Sequence, residues 1–386
     1  MSWVLGSCAA GETPGAVRNR PLVMAHYMPW YVAKPISPAW GWHWTMNHFD
    51  PDQTQEGRRP LASHFYPSIG PYDSSDHHVL EYHLLLMKLA GIDGVVVDWY
   101  GLESFRDYSV LHRNSERLMA QSRTLGMKFA VCYEDQVVPA LVKARKLEPA
   151  KRVAHVVREL NWLGDHWFKE SSYLRLDGKP VLLSFGQTGL SDSEWSSCLR
   201  KTKERIAYFS EHQRRTAAVG AFDWPSPAGG IPATGTFLQS SRSWKHAIPV
   251  AFPRFVDIYA EAQVHKSWGR IADDEGKTFR TTLAQALNSK AWLVQLATWN
   301  DWGEGTMIEP SREFGNRDLK IVQELVRPHR AGVTLSEQSL GLPVRLLSLR
   351  GKKMGSVSQL DRVRDLLANR KIVEASSLIR SLEKAP

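Results

Sequence analysis

The chain has 386 residues, 43% of them apolar, and a formal charge of +9. That length fits one large domain with an appendage, or two ordinary domains, and the apolar share suffices for a full core. Lys and Arg are spread out, with small clusters at 143–146 and 350–353, and no recognised motif accompanies them; the charge reads as solvated surface, and no nucleic-acid partner is expected.

Residues 1–19 read as an N-terminal tail. They lack the charged start and long apolar centre of a full signal peptide. "LGSC" resembles the end of a lipoprotein signal with Cys8 as the lipidated residue, but a disordered or truncated tail is the favoured reading. The first buried strand is predicted at 21–28, "PLVMAHYM". A long insertion, 29–75, follows and carries Trp30, Trp40, Trp42 and Trp44; long structured loops are often functional. A helix is predicted over 76–90, capped by Asp76, lined by Leu80, Leu84 and Met87, and closed by Gly91. Strands 94–100, 128–135 and 179–186 alternate with helices at 111–125, 151–163 and 192–212. Strand 217–224 leads into a Pro/Gly/Ser-rich stretch, 224–246. Strands at 248–253 and 291–300, and helices at 279–288 and 316–326, complete the rhythm. Residues 331–386 read as a linker and a charged, Leu-spaced extension of two short helices. No stretch is long and apolar enough to span a membrane.

Near-continuous apolar runs between helices indicate strands buried on both faces, as in parallel sheets. The expected fold is α/β, a (β/α)8 TIM barrel over 20–330 with the insertion folded over its C-terminal mouth. Seven strands are marked; "GTFLQ" at 235–239 is the candidate for the eighth. An open doubly wound sheet is the alternative. The glycine fingerprint is missing, because "GIDG" at 91–94 precedes a strand instead of following one.

Active sites of this barrel lie at the C-terminal ends of the strands. There stand His26 and Tyr27; Asp98, Trp99 and Tyr100; Tyr133, Glu134 and Asp135; Gln187; Asp223 and Trp224; Arg254; and Asn300, Asp301 and Glu304. Carboxylates and amides bind hydroxyls, and aromatic rings stack on the C–H faces of sugars. The 15 Trp exceed what a core needs, and Trp30, Trp44, Trp99 and Trp302 are expected to line the mouth, at least two of them partly exposed. Glycoside hydrolysis commonly uses two carboxyl groups. Asp301 and Glu304, one turn apart after a strand, suit that task, with Gly303 and Gly305 permitting a tight turn and close approach of a ligand. The bland alternative has the pair capping a helix or pairing at the surface. Asp98 either binds substrate or caps a turn, and His26 is either a ligand-facing or a satisfied core histidine. His77, His78 and His83 lack metal spacing, and Cys8, Cys132 and Cys198 form no CxxC, so no metal is expected. No HExxH, GxSxG or Lys-bearing phosphate loop occurs, and no cofactor is expected.

At "HYMPWY" (26–31), "HFYPSIGPYDSSD" (64–76), "EYHLLLMKLAGIDGVVVDWYG" (81–101) and "TWNDWGEGTMIEP" (298–310) the sequence resembles glycoside hydrolase family 99, the endo-α-mannosidases, and the related 71/99-like and WbsX-type proteins. "FPRFVDIYAE" (252–261) resembles the 71/99-like group. The resemblance covers about residues 20–330 and implies a (β/α)8 barrel acting on α-linked glycans. The family's motif reads Asn-Glu-Trp-His-Glu. Its second Glu, a general acid, falls on Glu304; its first, the base that helps the sugar's 2-hydroxyl attack the anomeric carbon, falls on Asp301. Here Asp is one methylene shorter and Gly303 replaces His, a form closer to the family 71 α-1,3-glucanases. The resemblance also implies that Glu134 contacts substrate.

The expected activity is therefore a glycoside hydrolase with Glu304 as acid and Asp301 as base. The expected partner is an oligosaccharide or polysaccharide, and a monomer is expected. The compartment is open, with export favoured over the cytoplasm. A non-catalytic glycan-binding barrel and a WbsX-type role in polysaccharide biosynthesis are the alternative functions.

Overall fold

The computed structural model describes residues 20–329 and 336–384; Cys8 and its lipoprotein-like context lie outside them. Short β-branched and aromatic runs form eight barrel strands: β1 Leu22–Tyr27, β2 Gly94–Trp99, β3 Lys128–Glu134, β4 Lys179–Phe185, β5 Ala207–Glu211, β6 Gly220–Phe222, β7 in two pieces (His246–Ile248 and Val250–Ala251), and β8 Leu293–Leu296. Each pairs in parallel with the next, and β8 returns to β1 with Leu22 opposite Leu293. Pro249 interrupts β7. A proline has no N–H to give a ladder, and the strand changes neighbour there: its first piece pairs with β6, its second with β8. The barrel is closed, as expected.

Two assignments from the sequence are corrected. The eighth strand is Ala207–Glu211, not 235–239, which lies within the helix Gly230–Ser240. The helix predicted over 192–212 runs only Asp192–Lys201, started by a Ser191–Glu194 capping box, and Thr202 turns extended. "AYFSE" is five residues set among charges, too short to show its period, yet every residue of it is buried. The strand-end residues after it shift by one place: Asp223 and Trp224 follow β6, and Arg254 follows β7.

The helices His77–Ala90, Tyr108–Thr124, Arg152–His166, Lys277–Asn288 and Arg317–Val326 surround the strands. In the first of these the Asp76 carboxylate accepts the His78 N–H at 2.9 Å, and Gly91 closes the helix at φ +93°. The C-terminal extension holds three helices where two were expected: Leu342–Gly351, Val357–Ala368 and Ile372–Glu383. Among the described residues no helix is long and apolar enough to cross a membrane.

Period two along the strands sorts side chains into two layers. Met24, Val96, Cys132, Leu183 and Phe209 pack together inside the barrel. Ala25, Val97, Val131, Leu182 and Tyr208 pack outward with helix residues such as Leu84 and Leu160. The inward set, continued to the strand ends, reaches His26, Asp98 and Glu134.

Candidate active site

His26, Asp98 and Glu134 stand on the floor of a cavity of about 260 Å³, with Asp301 and Glu304 beside them and Met28, Trp30, Tyr100, Phe185, Trp224 and Tyr259 among its walls. The acid loop after β8 brings Asp301 and Glu304 to it. The Asn300 carboxamide takes the Met28 N–H at 2.8 Å and donates to the Met28 carbonyl at 3.0 Å, fixing this loop to the end of β1. The Tyr31 hydroxyl donates to the Asn300 carbonyl at 2.9 Å and accepts the Trp302 N–H at 3.0 Å. Insertion and acid loop are thus one unit. Gly305 sits at φ +68°, and a Cβ there would lie 2.8 Å from the Val256 carbonyl oxygen. Its freedom serves the neighbouring backbone, where the sequence suggested a ligand.

The two acids are held differently. Asp301 accepts the Glu304 N–H at 3.0 Å, and its own N–H donates to the Thr298 hydroxyl at 2.8 Å. Glu304 receives only the Tyr259 hydroxyl, at 3.4 Å. Burial raises the Asp301 carboxyl to about 7, against the pull of the Glu304 and Gly303 N–H groups. Burial raises Glu304 well above its ordinary value, and the negative charge of Asp301 adds to it. Burial, then the Asp301 charge, takes Asp98 up to about 8; burial and Asp98 likewise push Glu134 well up. Burial lowers His26 to about 3, so its imidazole is neutral at pH 7. Both ring nitrogens of His26, Asp98 Oδ1 and Trp30 Nε1 are buried without a well-formed hydrogen bond in the protein; Gln295 acts on His26 and Tyr100 on Asp98 only as loose neighbours. Unpaired buried polar atoms are costly and mark a place where something else bonds.

Eight of the residues singled out from the sequence meet here: His26, Trp30, Asp98, Tyr100, Glu134, Trp224, Asp301 and Glu304. The others do not reach the cavity. Tyr27 and Trp99 have the opposite strand parity and point outward: the Tyr27 hydroxyl meets His83 Nδ1 at 2.9 Å, and Trp99 packs against Trp162 and Trp167. Trp44 donates to the Tyr72 carbonyl at 2.8 Å, and Trp302 to Glu309 at 3.2 Å; both are fully buried. The expectation that two of the four chosen Trp are partly exposed at the mouth fails. Only Trp30 lines it, at 9% exposure. Arg254 is a structural clamp, donating to Asp273 and to the Met307 carbonyl, both at 2.9 Å, and pairing with Asp318. Asn300 positions the loop. Asp223 bonds His212 at 3.2 Å and borders a neighbouring hollow beyond Trp224. A larger hollow of about 970 Å³, between helices Gly230–Ser240 and Lys277–Asn288, has no acid in its lining.

Sequence reasoning missed Gln136, Phe185, Phe255, Tyr259 and Trp268 as lining residues, and named Trp224 only as a strand-end residue. Parity could have found Phe185 and Trp224, two residues on from the inward Leu183 and Phe222. Tyr259 and Trp268 stand on the excursion after β7, where no strand period applies. Among the described residues, His26, Asp98 and Cys132 offer ligand atoms within 4.8 Å of one another. Burial raises the Cys132 thiol well above its ordinary value and Asp98 to about 8, so a cation there would have to displace protons from both.

Comparison with known proteins finds a family and a shared fold. The family model described as glycosyl hydrolase family 99 matches residues 20–212. A glycoprotein endo-alpha-1,2-mannosidase of Rattus norvegicus is 33% identical, with 81% of this chain and 72% of the rat protein aligned.

The chain belongs to glycosyl hydrolase family 99.

A Homo sapiens glycoprotein endo-alpha-1,2-mannosidase-like protein is 24% identical over 74% of this chain and 67% of its own length. The solved family 99 endo-alpha-mannosidase of Bacteroides thetaiotaomicron superposes with a TM-score of 0.60 at 19% identity, covering 80% of this chain and 97% of that one. The barrel is thus shared at the level of fold, and family 99 membership makes this chain a glycoside hydrolase. The family match ends before β7 and the acid loop, so the roles of Asp301 and Glu304 rest on the cavity.

Proposed function

We propose that this chain cleaves an α-linked glycan in the cavity at the end of β8, with Glu304 as general acid and Asp301 as base. The observation that carries the reading is the unequal treatment of two buried neighbours. Asp301 has a backbone N–H holding its carboxylate, so it is the more acidic of the two. Glu304 lacks that help and feels the Asp301 charge, so it keeps its proton. Carboxyls pushed apart in this way take opposite roles. Glu304 gives its proton to the leaving oxygen, while Asp301 removes one on the attacking side. His26, Asp98 and Trp30 present unpaired polar atoms to the sugar's hydroxyls. α-1,2-Linked mannose, the linkage in the rat relative's name, is the first substrate to assay.

Replacing Glu304 by Gln keeps the shape but not the proton. Turnover of Glu304→Gln is expected to fall by about 10²–10⁴, the usual worth of a general acid, with binding nearly intact. The loss shrinks for substrates with good leaving groups, which need little protonation. Asp301→Asn should lose turnover without that rescue. Equal rescue of both variants by an activated leaving group would reverse or abolish the assignment.

A further inference from the structure

The cavity of about 260 Å³ is below the usual range of ligand clefts, about 300–1,000 Å³, so a glycan chain must continue past its rim. At that rim stands Trp268, 57% exposed, the most exposed tryptophan among the described residues. It is firmly held. Its backbone N–H donates to Asp257 Oδ2 at 2.8 Å, and the Ser267 hydroxyl donates to the same oxygen at 2.9 Å. His265 stacks on it, 20° from parallel with centroids 5.0 Å apart, and Tyr259 leans against it at 5.2 Å. Beside it Gly269, at φ +128°, lies against Pro227, which also lines the cavity. An exposed ring normally carries rotamer freedom that binding would remove; here packing has already removed it.

Position relative to the acid gives the ring a direction. Tyr259, which touches Trp268, is also the side chain that hydrogen-bonds Glu304. Resting on the reading of Glu304 as the acid that protonates the leaving oxygen, we infer that Trp268, backed by His265 and Tyr259, is a stacking platform for a sugar unit of the leaving group. The ring offers a flat apolar face to the C–H side of that sugar, and the platform selects glycans whose scissile bond is followed by at least one further unit.

Trp268→Ala tests this on two substrates of the same linkage, one with a sugar leaving group and one with an aryl leaving group. The ratio of their kcat/KM values is expected to drop by about tenfold, mainly through KM of the sugar-leaving substrate, the size of effect seen when one ring loses its aromatic partner. Trp268→Phe should restore most of the ratio. An unchanged ratio overturns the platform. Calorimetric binding of the oligosaccharide is measured in parallel on Glu304→Gln with and without Trp268→Ala. A roughly tenfold weaker affinity in the double variant supports the platform even if the catalytic reading fails, and equal affinity overturns it even if that reading stands.

Discussion

Asp301 carries two opposed demands, and pH separates them. Its folded carboxyl titrates near 7, against an ordinary value of 3.8. The sign follows from linkage: below 3.8 both folded and unfolded states hold the proton, and between 3.8 and 7 only the folded state does, so folding takes up a proton and stability falls as pH rises. Above about 7 the loss is complete. Asp301→Asn removes the cost while its amide oxygen still accepts the Glu304 N–H. Its melting temperature should exceed the parent's by a few degrees at pH 8 and match it near pH 4; equal curves at both pH values would show that Asp301 is not held out of its ordinary range. The same ordering predicts a bell-shaped pH profile of kcat/KM, rising as Asp301 ionises near 7 and falling at higher pH as Glu304 loses its proton. Both acids were legible as candidates because they follow a strongly apolar strand. Their unequal environments were not, since Thr298, Tyr259 and the turn backbone meet them only in the folded chain.

Strand parity explains why Trp224 reaches the cavity and Trp99 does not. Trp99 is as near the end of β2 as Asp98, yet the pleat sends it outward against Trp162 and Trp167. Trp99→Ala should therefore cost about 3–5 kcal/mol in urea unfolding and leave KM close to the parent's. Trp30→Ala should do the reverse, raising KM severalfold with a smaller loss of stability. The strands themselves were readable from their apolar runs, and alternation within them was available at His26 and Asp98, which fixes Tyr27 and Trp99 as outward. Residues 207–211 were not readable, because five residues between charged stretches carry too short a pattern. A second consequence belongs to Arg254, which joins the segment after β7 to Met307 of the acid loop and to Asp318 of the helix Arg317–Val326. Arg254→Ala leaves Asp318 to Arg317 alone, whose Nε donates to it at 2.9 Å, and takes the donor from the Met307 carbonyl; it should cost about 1–3 kcal/mol, measured as a lower denaturant midpoint, with activity per folded molecule nearly unchanged.

Across the whole molecule, the C-terminal helices explain why the helix His77–Ala90 is buried nearly all round. Arg350 donates to both Glu81 oxygens, at 2.7 and 2.9 Å, and to Asp361 at 2.8 Å, clamping the extension onto that helix; neither Arg350 nor Glu81 lines the cavity. Arg350→Ala should lower the melting temperature and leave KM unchanged; a changed KM would mean that the extension acts on the cavity. Charge is distributed just as unevenly. The chain carries +9 overall, while the cavity is lined by four acids and not one Lys or Arg. The outer field draws the molecule toward polyanions, but the site has no counter-ion for a uronate or sulfate group. A glycan carrying a uronate or sulfate at the cleaved unit is therefore expected to bind this cavity more weakly than its neutral counterpart, a difference that calorimetry on the two sugars would read.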